Sequence, residues 1–315
     1  MIVRHQRIFR FGAAFVLASM LGCAGSGGPL KIRRIQTFDK ALARQRALHA
    51  PEFDLKGPSE DPARHLATGD VHRAQGRNSE AHRAYVRAHF ADPESLVPLE
   101  RIAYLALRED TEHARILFEE LVTDAPDAPG LRVGLGYALA ASGELEAARE
   151  QLEHAVELNP TSQAALLTLG IVSDRLGDSE AAVRAYERAL AAGLNNAQVL
   201  NSLGVSYLLA NRAEDAVSVF KNARALEPRN PVFSNNLGLA LGLLGRDAAA
   251  MTAFERTGSE GDALNNLGLA RYLRGDLSGA RTLFERALLT NETDELRVLR
   301  NLERVEQASS QPGDA

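Results

Sequence analysis

The chain has 315 residues, 45% of them hydrophobic, with a formal net charge of −5 and no tryptophan. That length allows two ordinary domains or one long repeat array, and 5% aromatics point to a core of Ala, Leu and Val in close-packed helices rather than a β-sandwich. The acidic balance argues against a nucleic-acid ligand, and a single cysteine, Cys23, leaves no internal disulfide framework and no cysteine-based zinc cluster.

Residues 1–22 read as a cleavable export signal. Arg4, Arg7 and Arg10 form a cationic head, and Phe11 to Leu21 form an apolar stretch. As helix that stretch spans about 16 Å, roughly half of a bilayer core, too short for a permanent span. Ser19 to Cys23, S-M-L-G-C, resembles the bacterial lipobox, with Met20 where leucine is most common. The resemblance implies that Cys23 becomes the mature N-terminus and carries fatty acyl chains. Each buried CH₂ contributes about 0.8 kcal/mol, so two or more chains hold a protein on a membrane. Ala24 is not the Asp that can mark inner-membrane retention, so the periplasmic face of the outer membrane is the expected address.

Residues 23–61 form a tether and a linker. Ala24 to Pro29 is rich in Gly and Ser and flexible by composition. Ile32, Ile35, Phe38, Leu42 and Leu48 then recur at near-helical spacing, decorated by Lys31, Arg33, Arg34, Arg44 and Arg46. Two readings stay open: a basic helix lying on anionic lipid, or a helix packed against the region beyond residue 61. Pro51, Pro58 and Pro62 break the chain before that region.

From residue 62 to 295 the chain repeats itself. Gly136, Gly170, Gly204 and Gly238 are spaced by 34 residues, and Gly69 and Gly268 share their surroundings. Twelve residues after each comes an alanine: Ala81, Ala148, Ala182, Ala216, Ala250 and Ala280. Seven after comes Gly76, Gly143, Gly177, Asn211, Gly245 or Gly275, and sixteen after comes Tyr85, Leu152, Tyr186, Phe220, Phe254 or Phe284. Each offset has a mechanical meaning in a helix–turn–helix unit. The first glycine and the later alanine let two helices, A and B, approach. The second glycine or asparagine ends helix A in a left-handed conformation. The ring fills the space between, and Pro93, Pro160 and Pro228 close helix B.

This pattern resembles the tetratricopeptide-repeat (TPR) family, which implies an all-α superhelical solenoid of about seven repeats. Two repeats depart from it. The second keeps Ala114, Phe118 and Pro126 but lacks one residue between its helices, and the sixth allows only 30 residues from Gly238 to Gly268. Its helix B is expected to stop at Thr257-Gly258, kinking the array. Residues 296–308 read as a C-terminal capping helix with Leu296, Leu299, Leu302 and Val305 on the packed face and Arg297, Arg300 and Arg304 turned away. The tail, 309–315, is expected to be disordered.

The TPR resemblance also implies a ligand surface. In such solenoids helix A lines the concave face, where peptides bind. Two residues before the repeat glycine stand Thr168, Ser202, Asn236 and Asn266; one earlier stand Asn201, Asn235 and Asn265. This run resembles the asparagine ladder in the TPR superhelix of O-linked N-acetylglucosamine transferases. An amide donates and accepts, so it can hold a peptide backbone without reading side chains. Beside it Tyr137, Ile171, Val205, Leu239 and Leu269 form an apolar stripe. The same N-L-G spelling also recurs in TPRs with no such ligand.

No catalytic signature appears: no P-loop, nucleophile elbow, HExxH or dinucleotide fingerprint. His65 and His72, like His82 and His89, are seven apart, two turns, too far to share one metal ion unaided; His65 and His72 stand where the TPR resemblance implies core aromatics. We therefore expect no enzyme, cofactor or metal, and a protein or peptide partner. An export signal joined to repeats such as LNNLGLARYLRGDLSGARTLFERAL resembles the pilus-assembly TPR lipoproteins, tight-adherence (Tad) proteins ahead of type IV secretin pilots. The implied role is a membrane-anchored scaffold for a pilus or secretion machine. The alternative is an adaptor for peptidoglycan hydrolases or other periplasmic enzymes.

Overall fold

The computed structural model describes residues 61–290 and 292–310, so the stretches expected to form the export signal and the tether, Cys23 among them, and residues 311–315 lie outside the described residues. Among the described residues the regular elements are fifteen helices: α1 Pro62–Ala74, α2 Asn78–Ala91, α3 Val97–Ala106, α4 Thr111–Asp124, α5 Pro129–Ser142, α6 Leu145–Leu158, α7 Gln163–Leu176, α8 Ser179–Ala191, α9 Ala197–Leu209, α10 Ala213–Leu226, α11 Pro231–Leu243, α12 Asp247–Glu255, α13 Glu260–Leu273, α14 Leu277–Leu289 and α15 Glu295–Ser310. None of them is long and apolar enough to cross a membrane. The chain divides into two compact units, Met1–Pro160 and Thr161–Ala315. In the first, α1–α6 pack as three successive pairs; in the second, α7–α14 pack as four, followed by α15.

The helix boundaries follow from local chemistry. Prolines occupy the first turn of α1, α3, α5 and α11, where their missing N–H costs nothing. Ser162, Asn196 and Asn230 cap α7, α9 and α11 through their side-chain oxygens. The position seven after the repeat glycine has the expected left-handed backbone, and Asn211, at φ 60°, is the only described non-glycine residue with positive φ. The fourth repeat has no closing proline. Gly193, at φ 92°, ends α8 instead, with Leu194 N donating to Ala189 O at 3.0 Å and Leu194 buried behind the turn.

The repeat glycine serves a closer contact than the alanine twelve residues on. A Cβ added to Gly170 would lie 2.6 Å from the Tyr186 ring, and one on Gly204 would lie 2.5 Å from the Phe220 ring. These rings are fully buried and carry the core between each A and B helix. The second repeat differs from its expected form. The link Leu107–Asp110 is not short; instead α3 is shortened to ten residues and its end has no left-handed residue. Phe118 turns its ring to α5, where a Cβ on Gly134 would collide with it.

In the sixth repeat α12 is indeed cut to nine residues, ending at Glu255. Helices α11 and α13 then meet directly, and a Cβ on Gly242 would lie 2.5 Å from Ala270 Cβ. Polar bonds hold this junction. Thr257 Oγ1 donates to Asn235 Oδ1 at 2.5 Å, and Arg274 reaches back to Gly242 O at 2.7 Å. Arg271 pairs with Asp247 at 2.5 Å.

The closing helix is rotated from its expected face. Val298, Asn301 and Val305 are buried, whereas Leu296 is 70% exposed and Leu299 is also exposed. Arg297 points inward and pairs with Asp262, while Asn301 Nδ2 donates to Asn265 Oδ1 at 2.9 Å. A polar register sets this packing, and it overrides the leucine spacing. Helix α15 also continues through Ser309 and Ser310, which the sequence assigned to the tail.

Candidate functional site

The A helices of the second unit each keep one face open. On α9, Val199, Leu200, Leu203, Gly204, Ser206 and Tyr207 are buried, which leaves Asn201, Ser202, Val205, Leu208 and Leu209 toward the accessible side. On α11 the matching residues are Val232, Asn235, Asn236, Leu239 and Leu243, and on α13 they are Asn266, Leu269, Tyr272 and Leu273. Leu209 is 59% exposed and Val232 49%, large apolar side chains left in water. Leu167 and Ile171 extend the stripe on α7.

Two of the expected ligand residues do not belong to this surface. Thr168 is 2% exposed, and its hydroxyl donates to Ala164 O at 2.7 Å, a bond within its own helix. Asn265 is likewise 2% exposed, because Asn301 of α15 covers it and takes its carbonyl. The other amides stay half-buried, and one pair links successive A helices: Asn236 Nδ2 donates to Asn201 Oδ1 at 2.7 Å, whereas Asn235 accepts from Thr257 and Asn266 from its neighbour Asn265. Asn201 Nδ2 and Asn236 Oδ1 have no partner among the described residues, so each amide keeps one group for a ligand. Tyr137 belongs to the first unit, on α5, and is half-buried there.

The electrostatics of this face are unusual for so charged a chain. Helix α9, AQVLNSLGVSYLL, has Tyr207 as its one ionisable side chain, and α11, PVFSNNLGLALGL, has none. The tyrosine is turned inward, donating to Glu187 Oε1 at 2.5 Å beneath the Arg212 guanidinium, 4.5 Å from the ring centre. Burial, followed by that carboxylate, pushes its ionisation well above the ordinary tyrosine range. The charges lie on the B helices, such as α8, SEAAVRAYERALA, and α10, AEDAVSVFKNARAL.

One carboxylate borders the stripe, and sequence reasoning passed over it. Asp174 of α7 accepts from Tyr186 Oη of α8 at 3.0 Å and from Ser206 Oγ of α9 at 2.8 Å. Burial raises its pKa to about 6, although both hydrogen bonds pull the other way. Its signal in the sequence was a lone Asp closing the apolar run LLTLGIVSD. Since the folded pKa lies above the unfolded value near 3.8, the folded state holds the extra proton between about pH 4 and 6. Asp174 therefore costs stability at neutral pH, on the order of 2–3 kcal/mol, and that cost is relieved as pH falls through 6. His82, in the first unit, has the opposite sign: burial lowers its pKa, so its contribution is lost as pH drops below about 6.5. Melting curves from pH 7 to 4.5 should show Asp174→Asn losing the acid-side gain that wild type retains. Equal slopes for the two proteins would refute this assignment.

Among the described residues no group of three or more His, Cys, Asp and Glu side chains is placed to hold a metal ion. His65 and His72 are half-buried on α1, and His72 Nδ1 is buried without a hydrogen-bond partner.

With this geometry in view, three family models, each described as tetratricopeptide repeat, match residues 129–172, 167–231 with 210–259, and 261–293. No curated protein matches the chain. Among solved structures, a tetratricopeptide repeat protein from Parabacteroides merdae is 15% identical, covers 79% of this chain and 100% of that one, and has a TM-score of 0.50, a likeness of fold alone. The MamA protein is 25% identical over 53% of this chain and 92% of its own, with a TM-score of 0.44. YrrB, a TPR protein with an unusual peptide-binding site, is 20% identical over 58% and 96%, with a TM-score of 0.48. Together with the 34-residue glycine spacing and the paired helices, the matched models show that this chain belongs to the tetratricopeptide-repeat family.

Proposed function

We propose that this protein is a lipid-anchored scaffold of the bacterial cell envelope that binds an extended, largely uncharged segment of a partner protein across α9, α11 and α13. TPR proteins are typically non-enzymatic scaffolds for protein–protein interaction. The observation that carries the reading further is the accessible face itself, with Leu209, Val232 and Leu273 in water beside half-free amides and no ionised side chain on α9 or α11. Such a surface gains from burying apolar side chains and from amide–backbone bonds, and it penalises a charged ligand that would lose its water. The anchor rests on the lipobox-like S-M-L-G-C ending at Cys23. The assembly served is a pilus or secretion machine, on the resemblance of the repeat spelling to Tad lipoproteins.

Labelling cells with an alkyne fatty acid tests the anchor. Wild type should take up label and partition with outer membranes, whereas Cys23→Ser should take up none and become soluble in the periplasm. Equal labelling of both proteins would rule out the anchor and leave the binding face standing.

A further inference from the structure

Three hydroxyls and one carboxylate form a continuous hydrogen-bonded chain that ends on the ligand face of the second unit. Asp174 of α7 offers two oxygens. Oδ1 accepts from Ser206 Oγ at 2.8 Å, and Oδ2 accepts from Tyr186 Oη at 3.0 Å. Tyr186 is buried, and its oxygen also takes a hydrogen bond from Ser202 of α9, a half-buried residue of the accessible side. Ser206, one turn beyond Ser202 and fully buried, lies 3.0 Å from Ser202 O as well. The same turn of α9 is therefore tied to Asp174 through both serines.

The charge on Asp174 is set without help from other ions. Helix α8 presents Tyr186 to it and α9 presents Ser206, while Tyr207 of α9 is turned to Glu187. Arg175, next on α7, is exposed. No charged side chain is among the described groups that shift the carboxyl, which burial lifts to a pKa of about 6. A hydroxyl carries a single hydrogen, so the chain has two directions. With Asp174 ionised, the carboxylate only accepts: Tyr186 donates to it, Ser202 donates to Tyr186, and Ser202 turns a lone pair outward. With Asp174 protonated on Oδ2, the carboxyl donates to Tyr186 Oη, Tyr186 donates to Ser202 Oγ, and the Ser202 hydrogen is released to the surface. Ser206 stays on Oδ1 in both states.

We propose that Asp174 is a positioning residue for the ligand face, whose protonation reverses the Tyr186–Ser202 chain and converts Ser202 from an acceptor of a ligand N–H into a donor to a ligand carbonyl. The two states hold opposite ends of a peptide unit, so pH selects the register of a bound segment at this position. In the next two pairs the corresponding rings are Phe220 and Phe254, which have no hydroxyl, so the relay acts at one end of the face. The proposal rests on the reading that this face takes a ligand, but the relay is testable without the partner.

Carbon-13 NMR of the full-length protein tests it. The Asp174 carboxyl, Tyr186 Cζ and Ser202 Cβ should titrate together, with a midpoint near pH 6. Tyr186→Phe breaks the chain, so Ser202 should stop responding while Asp174 still titrates. Asp174→Asn, whose amide donates as the neutral carboxyl does, should hold Ser202 in its acid form throughout. The ligand consequence is read with N,N-dimethylacetamide, an amide that only accepts. It should bind at Ser202 about fivefold more tightly at pH 5 than at pH 7.5, the worth of one hydrogen bond, and equally at both in Asp174→Asn. A Ser202 signal that ignores pH, or that still follows it in Tyr186→Phe, would overturn the proposal, as would equal binding of dimethylacetamide to wild type at both pH values. A partner that binds elsewhere would leave the joint titration of Asp174, Tyr186 and Ser202 in place, so the two readings fail separately.

Discussion

Gly204→Ala should destabilise the second unit by about 2–3 kcal/mol, although alanine is the better helix former by roughly 1 kcal/mol. The sign is decided by space. The new Cβ would stand 2.5 Å from Phe220 Cε1, and that ring is completely buried, with α9 on one side and the rest of the core on the other. The ring cannot swing away without opening a void, and α9 cannot retreat without parting the pair. Trimming the ring should partly cure the clash. Gly204→Ala combined with Phe220→Leu should be more stable than the sum of the two single losses allows, by more than about 1 kcal/mol. Urea unfolding of the four proteins measures this coupling. Strict additivity, or a Gly204→Ala variant at least as stable as wild type, would show that the glycine is not there for the ring.

Leu239→Arg should abolish partner binding, by about a hundredfold or more, while changing stability by less than about 0.5 kcal/mol. Leu239 is half-buried in the middle of the α11 stripe, between residues that carry no charge. An arginine there can keep its head in water while the site is empty, but a ligand that covers the stripe would strip that water away. Leu226→Arg is the control, since Leu226 is exposed at the end of α10, on a B helix. Titration of the partner segment by fluorescence anisotropy should separate the two variants. Equal affinity in both would move the ligand elsewhere.

The fold was legible wherever one offset had one mechanical cause. Glycine, turn residue and ring recur with the helix pair, so the register of α5 to α14 could be read directly from Gly136, Gly143 and Leu152 and their counterparts. The second repeat was harder, because Phe118 packs toward Gly134 of α5 and its own helix A lacks a glycine. The closing helix was misread because leucine spacing describes only an apolar face. It carries no information on whether Asn301 and Arg297 will find Asn265 and Asp262, and those polar contacts fixed the rotation. For the same reason Asn265 looked like its relatives Asn201 and Asn235 in sequence yet is covered in the structure. Asp174 escaped notice because its partners, Tyr186 and Ser206, lie on two other helices.

The central claim is that partners bind on the A-helix face of the second unit. A photo-reactive amino acid placed at Leu239 of the full-length protein, with Ser218 on α10 as the exposed control, tests it in living cells. Position 239 should give one discrete adduct and position 218 none, with the cross-linked peptide mapping by mass spectrometry to a partner segment of few charges. Adducts of equal yield from both positions, or an adduct from 239 that maps to a densely charged segment, would contradict the claim.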